Sequence, residues 1–249
     1  MTRKFQKEYE INYYDVDFNL NCKLSSIVNF LCDIGCAQSE SLGETIEHLM
    51  ENKCAWVFYK YDIHVNRFPK YRENISVETE AVGFNRFYAY RKYTITGKDN
   101  EVLVNAYALF FLIDFEKRRP KRITKEQQDL YSGGEELPKN IEMEEVRDLD
   151  AEDHAKEFNI RYSDIDSNGH VNNVKYMEWA IESVPEEVIK DYTLKQIKVT
   201  FEKETSYGDK VNVAAKIIKE DEDIITVHTI GSIDKNIQLS KVEIKWSKE

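Results

Sequence analysis

The sequence has few residues that break regular structure and no long apolar run. Its 249 residues include four prolines and nine glycines, so disorder is expected only at short joints. The longest apolar run, Ala106 to Ile113, has eight residues, which suits a strand and is far too short to cross a bilayer. The N-terminal segment MTRKFQKEYEINYY lacks the apolar stretch of a signal peptide. The expected location is therefore the cytoplasm.

Cysteine is also scarce, and all four cysteines lie in the first quarter of the chain, at Cys22, Cys32, Cys36 and Cys54. Their spacing matches neither a zinc ribbon nor a Cys-x-x-Cys redox pair, so buried, reduced thiols are expected. The sequence lacks a glycine-rich phosphate loop, a metal-ligand cluster and a serine nucleophile elbow. Four scattered histidines are interpreted as structural or solvated: His48, His64, His154 and His228. No cofactor and no metal are predicted.

Positive charge is in deficit, with a formal net charge of −11. This balance disfavours binding to nucleic acid or to an anionic membrane, because both need an excess of lysine and arginine. An acidic protein partner would need a local basic patch. One candidate is the run EKRRPKR at 116–122, although such runs are more commonly solvated linkers.

Two segments of the chain repeat one pattern. The string YDVDFNLN at 14–21 matches SDIDSNGH at 163–170 with a constant offset of 149, and the later apolar positions match at an offset of 136. Apolar residues at helical spacing follow each string. They are Leu24, Ile27, Val28, Leu31 and Ile34 in the first copy, and Val174, Met177, Ile181 and Val184 in the second. The chain therefore reads as a duplication.

Both halves continue with alternating apolar and polar residues, the pattern of strands joined in hairpins. The predicted strands are 56–65, 75–83, 87–95 and 102–113 in the first half, and 197–203, 211–218, 224–230 and 237–246 in the second. A helix lying across one face of a sheet buries both apolar surfaces. We therefore predict an α+β fold with domains at 1–115 and 156–249, joined by a polar linker at 116–155.

The second copy carries the residues that could do chemistry. If its first part is extended, four alternating polar residues project to one side: Asp164, Asp166, Asn168 and His170. The helix that follows is expected to be capped by Asn172 or Asn173 and to stop near Pro185. Free N–H groups at a helix start can stabilise an oxyanion, as cleavage of a thioester or ester requires. The competing interpretation is turn and cap chemistry alone.

The repeat indicates one site per chain. The first copy has Asn21 where the second has His170, and Phe68 where the second has Glu204. A half that has lost its ionisable pair could instead line an apolar pocket. Its candidate lining residues are Phe68, Phe84, Phe87 and Tyr88, for which ordinary core packing is the alternative.

The string DIDSNGHVNNVKYMEWAIESVP, the later KVTFEKETSYGDKV and the altered first copy together resemble the acyl-acyl carrier protein (acyl-ACP) thioesterases, which carry two hotdog folds in tandem. The resemblance covers nearly the whole chain. It implies hydrolysis of fatty acyl-ACP, which releases free fatty acid and ends elongation. It implies catalytic roles for Asp166, Asn168, His170 and Glu204. Better-known members have a cysteine after that glutamate, whereas this chain has Thr205, so a thiol mechanism is not expected.

The implied reaction assigns a role to each residue. Asp166 would activate water or attack the carbonyl directly, and Asn168 would position substrate or water. His170, oriented by Glu204, would complete an acid–base relay. Backbone N–H groups between Gly169 and Asn172 would hold the oxyanion.

The implied partner is acyl carrier protein with a phosphopantetheine-linked acyl chain. Its expected docking residues are Lys117, Arg118, Arg119, Lys121 and Arg122. Two alternatives stay open: an acyl-CoA thioesterase with the same residues, and a non-catalytic acyl-binding or carrier-docking module on the same fold. The sequence leaves acyl chain length and branching open, and is compatible with a monomer or a homodimer.

Overall fold

The computed structural model describes residues 3–248. The chain divides into two compact units, with Met1–Tyr59 and Val65–Met143 in unit 1, and Lys60–His64 and Glu144–Glu249 in unit 2. Met1, Thr2 and Glu249 lie outside the described residues, so the N-terminal segment and the outer limits of the predicted domains are described only in part. The predicted boundaries at 115 and 156 stay predictions.

Unit 1 is built on a sheet with a long helix. Its strands are β1 (Phe5–Glu10), β2 (Cys54–Val65), β3 (Asn74–Phe84), β4 (Tyr88–Thr96), β5 (Val102–Asp114) and β6 (Arg119–Pro120). The strand order is β1-β3-β4-β5-β2, and β6 pairs with β5. The helices are α1 (Leu24–Ser41), α2 (Ile46–Glu51) and α3 (Lys125–Ser132). The predicted apolar stripe of α1 is confirmed, because all five of its residues are buried, and α1 packs on β1 and β3.

Unit 2 repeats this plan. Its elements are β7 (His154–Asn159), α4 (Asn173–Glu182), α5 (Glu186–Asp191), β8 (Thr193–Phe201), β9 (Lys210–Glu220), β10 (Asp223–Ser232) and β11 (Ile237–Ser247). The strands are antiparallel in the order β8-β11-β10-β9-β7, and the Lys60–His64 part of β2 pairs with β8. Helix α4 packs on β9, β10 and β11. The predicted α+β class is confirmed.

The predicted polar linker contains a helix that the sequence interpretation missed. The side chain of Thr124 accepts from the Gln127 N–H, the Gln127 side chain accepts from the Thr124 N–H, and Gly133 ends α3 in the left-handed conformation at φ 70°. These are standard start and stop signals that could have located the helix. Its Tyr131 is 2% exposed and belongs to a core cluster with Phe84 and Leu112. The segment is therefore part of the core of unit 1.

The structure also bears on the expected burial of the cysteines and on membrane spans. Cys22 and Cys54 are buried free thiols, Cys32 is half-buried, and Cys36 is exposed, so the expectation of burial is wrong for Cys36, which lies on the outer face of α1. Among the helices of residues 3–248, none combines the length and the apolar character needed to span a membrane.

Candidate active site

The motif loop of unit 2 is closed rather than extended. It starts with a 3-10 turn at Tyr162–Asp164. The Asp166 N–H donates to the His170 carbonyl at 2.9 Å, the Gly169 N–H donates to the Asp166 carbonyl at 3.1 Å, and Ile165 forms a bridge with Val171. Gly169 has φ +78°, a conformation that glycine adopts without strain. The predicted extended segment with four side chains on one side is therefore wrong, because the Asp-Ser-Asn-Gly sequence folds into a turn.

Asp164 is a structural member of this loop. Its side chain is 1% exposed and accepts from the backbone and the guanidinium of Arg161 at 2.8 and 2.9 Å. Burial alone would raise the pKa of Asp164, but the hydrogen bonds from Arg161 outweigh it and the pKa is lowered. Its carbonyl accepts from the Asn172 N–H at 2.8 Å. Asp164 therefore ties the turn to the start of α4.

Helix α4 begins as predicted, with Asn172 as its cap: the side-chain oxygen accepts from the Val174 N–H at 3.0 Å. Three of the backbone N–H groups predicted to hold the oxyanion are already used, so that prediction is wrong for them. The Gly169 N–H donates to the Asp166 carbonyl, the Val171 N–H to the Thr205 carbonyl and the Asn172 N–H to the Asp164 carbonyl, because a closed loop must satisfy its own N–H groups. Within residues 3–248, the N–H groups of His170 and Asn173 make no hydrogen bond.

His170 and Glu204 lie side by side. The Nε2 atom of His170 is 3.4 Å from Oε2 of Glu204, and the two side chains are 37% and 44% exposed. Glu204 lies shortly after the end of β8, and the neighbouring Thr205 carbonyl accepts from the Val171 N–H at 3.0 Å. This backbone hydrogen bond brings the two ionisable side chains together from distant parts of the sequence.

Asp166 belongs to the same motif loop as His170. One of its carboxylate oxygens accepts from the Asn168 N–H at 2.8 Å, so turn chemistry accounts for that oxygen. Asp166 is half-buried and Asn168 is exposed. The pKa of the buried Tyr176 is raised, first by burial and then by the charges of Glu204 and Asp166. Both carboxylates therefore lie near the Tyr176 hydroxyl.

Tyr176 is the site neighbour that sequence reasoning missed. It lies on α4, off the predicted apolar stripe, and it is 2% exposed. Its ring packs against Phe201 and Trp179. The signal in the sequence was a tyrosine in the helix that follows the motif, since a tyrosine that becomes buried there keeps a hydroxyl that needs a partner.

The predicted acyl-contacting residues lie in unit 1. Phe84 is 6% exposed and packs in the core cluster with Tyr131. Phe68, Phe87 and Tyr88 are half-buried. The Arg86 guanidinium covers the Phe87 ring, and the Tyr88 ring packs on Phe111 at a centroid distance of 4.5 Å. Contact with an acyl chain stays a prediction for all four predicted residues.

The predicted docking residues lie on the β5–β6 hairpin and just after it. Lys117, Arg118, Arg119 and Arg122 are exposed, whereas Lys121 is half-buried and donates to the Asn52 carbonyl at 2.7 Å. Lys117 Nζ lies 3.7 Å from the Asp114 carboxylate. The hairpin therefore presents guanidinium groups to solvent.

Among the remaining histidines, His228 is fully buried. Its Nδ1 faces the Ser183 hydroxyl at 3.1 Å and its Nε2 faces the Thr226 hydroxyl at 2.9 Å, and burial lowers its pKa to about 3. Across residues 3–248, no group of three or more histidine, cysteine, aspartate or glutamate side chains is arranged to hold a metal ion.

Two family models match the sequence: the acyl-ACP thioesterase N-terminal domain over residues 2–131 and the acyl-ACP thioesterase C-terminal domain over residues 147–248. A chloroplastic oleoyl-acyl carrier protein thioesterase of Coriandrum sativum is 24% identical over 92% of this chain and 66% of its own length. The curated relatives are longer proteins, of which this chain spans between 50% and 66%.

Solved structures show the same architecture. A Lactobacillus plantarum protein named as an oleoyl thioesterase superposes with a TM-score of 0.93 and 25% identity, over 99% of this chain and 97% of its own. The 12:0-ACP thioesterase of Umbellularia californica superposes with a TM-score of 0.87 and 17% identity, over 99% and 94% of the two chains. The second likeness speaks for the fold alone. The predicted tandem hotdog architecture is confirmed.

Proposed function

The chain belongs to the acyl-acyl carrier protein thioesterase family, and we propose that it hydrolyses the thioester between a fatty acyl chain and acyl carrier protein. The products are free fatty acid and the carrier thiol, so acyl elongation ends. The contact of 3.4 Å between His170 and Glu204 is the observation that carries the proposal. The pair belongs to the copy of the repeat that the sequence singles out, and Asp166 lies on the same motif loop as His170.

The chemistry divides among these residues. Water adds to the thioester carbonyl carbon, the carbon–sulfur bond breaks, and the proton lost by water reaches the departing thiolate. Asp166 accepts the proton of the attacking water. In the alternative course its carboxylate attacks the carbonyl carbon and expels the thiolate, and water then hydrolyses the resulting acyl anhydride and restores Asp166. Glu204 lies beside Nε2 of His170, so Nδ1 is the ring nitrogen left to exchange a proton with the reacting groups. Asn168 positions substrate or water.

The oxyanion also needs donors. The backbone N–H groups of His170 and Asn173 are not used inside residues 3–248, and Asn173 is the first residue of α4. We assign the oxyanion to these two N–H groups, since the positive end of the helix dipole supports a negative charge there.

We assign docking of the acidic carrier protein to the β5–β6 hairpin and the residues just after it. The side chains of Arg119 and Arg122 are exposed, and guanidinium groups pair well with carboxylates. Replacing both with glutamate should raise KM for an acyl-carrier substrate and leave KM unchanged for the same acyl group on CoA. An equal change for both substrates would remove the hairpin from docking.

The acyl chain is assigned to unit 1. Phe68, Phe87 and Tyr88 are half-buried, so each leaves part of a ring for an apolar ligand, while Phe84 supports them from the core. None of the four cysteines forms a disulfide within residues 3–248, which suits a reducing compartment such as the cytoplasm.

The decisive experiment is product analysis with purified protein. A panel of acyl groups is offered on carrier protein and, in parallel, on CoA, and released thiol and fatty acid are quantified. The proposal requires hydrolysis of at least one acyl-carrier substrate with a higher kcat/KM than its CoA counterpart. A preference for CoA would favour the acyl-CoA thioesterase, and binding without hydrolysis would favour a non-catalytic module.

A further inference from the structure

Thr205, next to Glu204, is anchored from both its side chain and its backbone. The side chain is fully buried, and its hydroxyl donates to Oδ2 of Asp209 at 2.8 Å. The same oxygen accepts from Lys235 Nζ at 2.7 Å and from the Ser206 N–H at 3.4 Å. Since each donor restrains the carboxylate, the Thr205 hydroxyl meets a fixed acceptor.

The backbone of Thr205 connects the two halves of the site. Its carbonyl accepts from the N–H of Val171, the residue after His170, at 3.0 Å. Thr205 is therefore attached to Asp209 through its side chain and to the loop that carries His170 through its backbone.

The first copy of the repeat separates the roles of backbone and hydroxyl. Pro69 occupies the place of Thr205, and its carbonyl accepts from the Cys22 N–H at 2.7 Å. Glu73, in the place of Asp209, accepts from the Lys70 N–H at 2.9 Å. The backbone connection thus forms without a hydroxyl in the copy that has no His–Glu pair. The hydroxyl anchor occurs in the copy that has one.

We propose that Thr205 is a positioning residue, whose hydroxyl anchor to Asp209 holds Glu204 against His170. Glu204 is 44% exposed and lies next to Thr205 in a stretch without regular secondary structure, so the anchor of Thr205 helps to set the direction of the Glu204 side chain. The proposal rests on the proposed thioester hydrolysis, to which Thr205 contributes only through Glu204. The lowered pKa of Asp209, caused first by Lys235 and then by the Thr205 hydroxyl, agrees with a charged and occupied acceptor.

The test compares Thr205→Val, which removes the hydroxyl at nearly constant volume, with Thr205→Ser, which keeps it. With an acyl-carrier substrate, we expect Thr205→Val to lower kcat about tenfold, the scale of a slightly misplaced catalytic group, with little change in KM. Thr205→Ser should recover most of kcat. Equal losses in the two variants, or an unchanged kcat in Thr205→Val, would overturn the proposal.

Ser240→Ala is the matched control. Ser240 is fully buried in unit 2, and its hydroxyl donates to the Thr200 carbonyl at 2.9 Å. Its loss removes a buried hydrogen bond between β11 and β8, and none of the hydrogen bonds of the motif loop. We expect a lower Tm and an unchanged kcat, whereas a fall in kcat like that of Thr205→Val would make the Thr205 effect a general loss of stability. If Thr205→Val does not fold, Asp209→Asn weakens the same anchor and should lower kcat in the same way.

A second readout does not depend on activity. In protein with isotope-labelled histidine, the His170 ring resonances, assigned with His170→Gln, should move in Thr205→Val and stay in place in Thr205→Ser and Ser240→Ala. Unmoved resonances in Thr205→Val would contradict the proposal even if kcat falls. A wild-type protein that hydrolyses no acyl-carrier substrate would end the proposed function, while the resonances would still decide the anchor.

Discussion

The loop at 15–22 and the loop at 164–171 share their backbone hydrogen bonds, but only the second has a histidine, His170, paired with a glutamate. The Asp17 N–H donates to the Asn21 carbonyl at 2.8 Å, as that of Asp166 donates to the carbonyl of His170 at 2.9 Å. A bridge closes each loop, between Val16 and Cys22 in the first copy and between Ile165 and Val171 in the second. The backbone of the loop is therefore independent of catalytic side chains.

The aspartates also behave alike in both loops. The Asp17 carboxylate accepts from the Asn19 N–H at 2.9 Å and that of Asp166 from the Asn168 N–H at 2.8 Å, and Asp17 also accepts from the Asn21 N–H at 3.0 Å. An aspartate at this position thus builds the turn in each copy. The second copy differs in having the pair His170 and Glu204. The fold of the loop therefore does not depend on the residues proposed for catalysis.

The largest effect should separate the two aspartates. Asp166→Ala should lower kcat by about a thousandfold, as expected when a nucleophile or general base is lost. Asp17→Ala removes the corresponding turn hydrogen bond and one more, from the Asn21 N–H, so Tm should fall at least as far while kcat stays near the wild-type value. Steady-state hydrolysis and thermal unfolding of both variants check this. If both variants lose turnover equally, Asp166 acts only through the fold.

The next effect tests the pair itself. His170→Ala and Glu204→Ala should each lower kcat by about a hundredfold, in the range for acid–base groups. The double variant should be little worse than either single variant, because groups that act as one unit lose their joint contribution once. Independent, multiplying losses would show that the contact of 3.4 Å is not used in turnover.

A third prediction concerns how the stability of unit 2 depends on pH. Burial lowers the pKa of His228 in unit 2 to about 3, below the ordinary value of about 6.5. Between these values the unfolded chain binds a proton that the folded unit does not. The free energy of unfolding should therefore fall by about 2 kcal/mol from pH 8 to pH 5.

The variant His228→Gln lacks this titration, so its unfolding free energy should depend less on pH by that amount. The measurement is denaturant unfolding at a series of pH values. Parallel curves for the wild type and His228→Gln would show that His228 is not the source of the acid sensitivity.

The smallest effect is expected in the first copy. Asn21 takes the place of His170, and its carbonyl rather than its side chain closes the loop. Asn21→Ala should therefore change kcat by less than about twofold, as a surface change away from the chemistry does. A loss comparable with that of His170→Ala would assign the active site to the wrong copy.

Sequence patterns predicted the features that depend on neighbouring residues. The apolar stripe of α1 and the Asn172 cap of α4 follow from helical spacing and from local hydrogen bonding. Polar helix α3 escaped prediction because it has no apolar stripe, although Thr124 and Gly133 signal its ends. The extended motif was wrong because alternation of polar residues does not distinguish a strand from a series of turns.

By itself, the sequence determined that the chain is duplicated and which copy keeps the ionisable residues, because both follow from comparing residues at constant offsets. The tertiary structure alone decided which N–H groups are already used, and that Thr205 joins Val171 to Asp209. Hydrogen bonds between segments distant in the sequence leave no periodic pattern in it. These hydrogen bonds form only when the sheet and α4 pack together, and the same packing brings Glu204 beside His170.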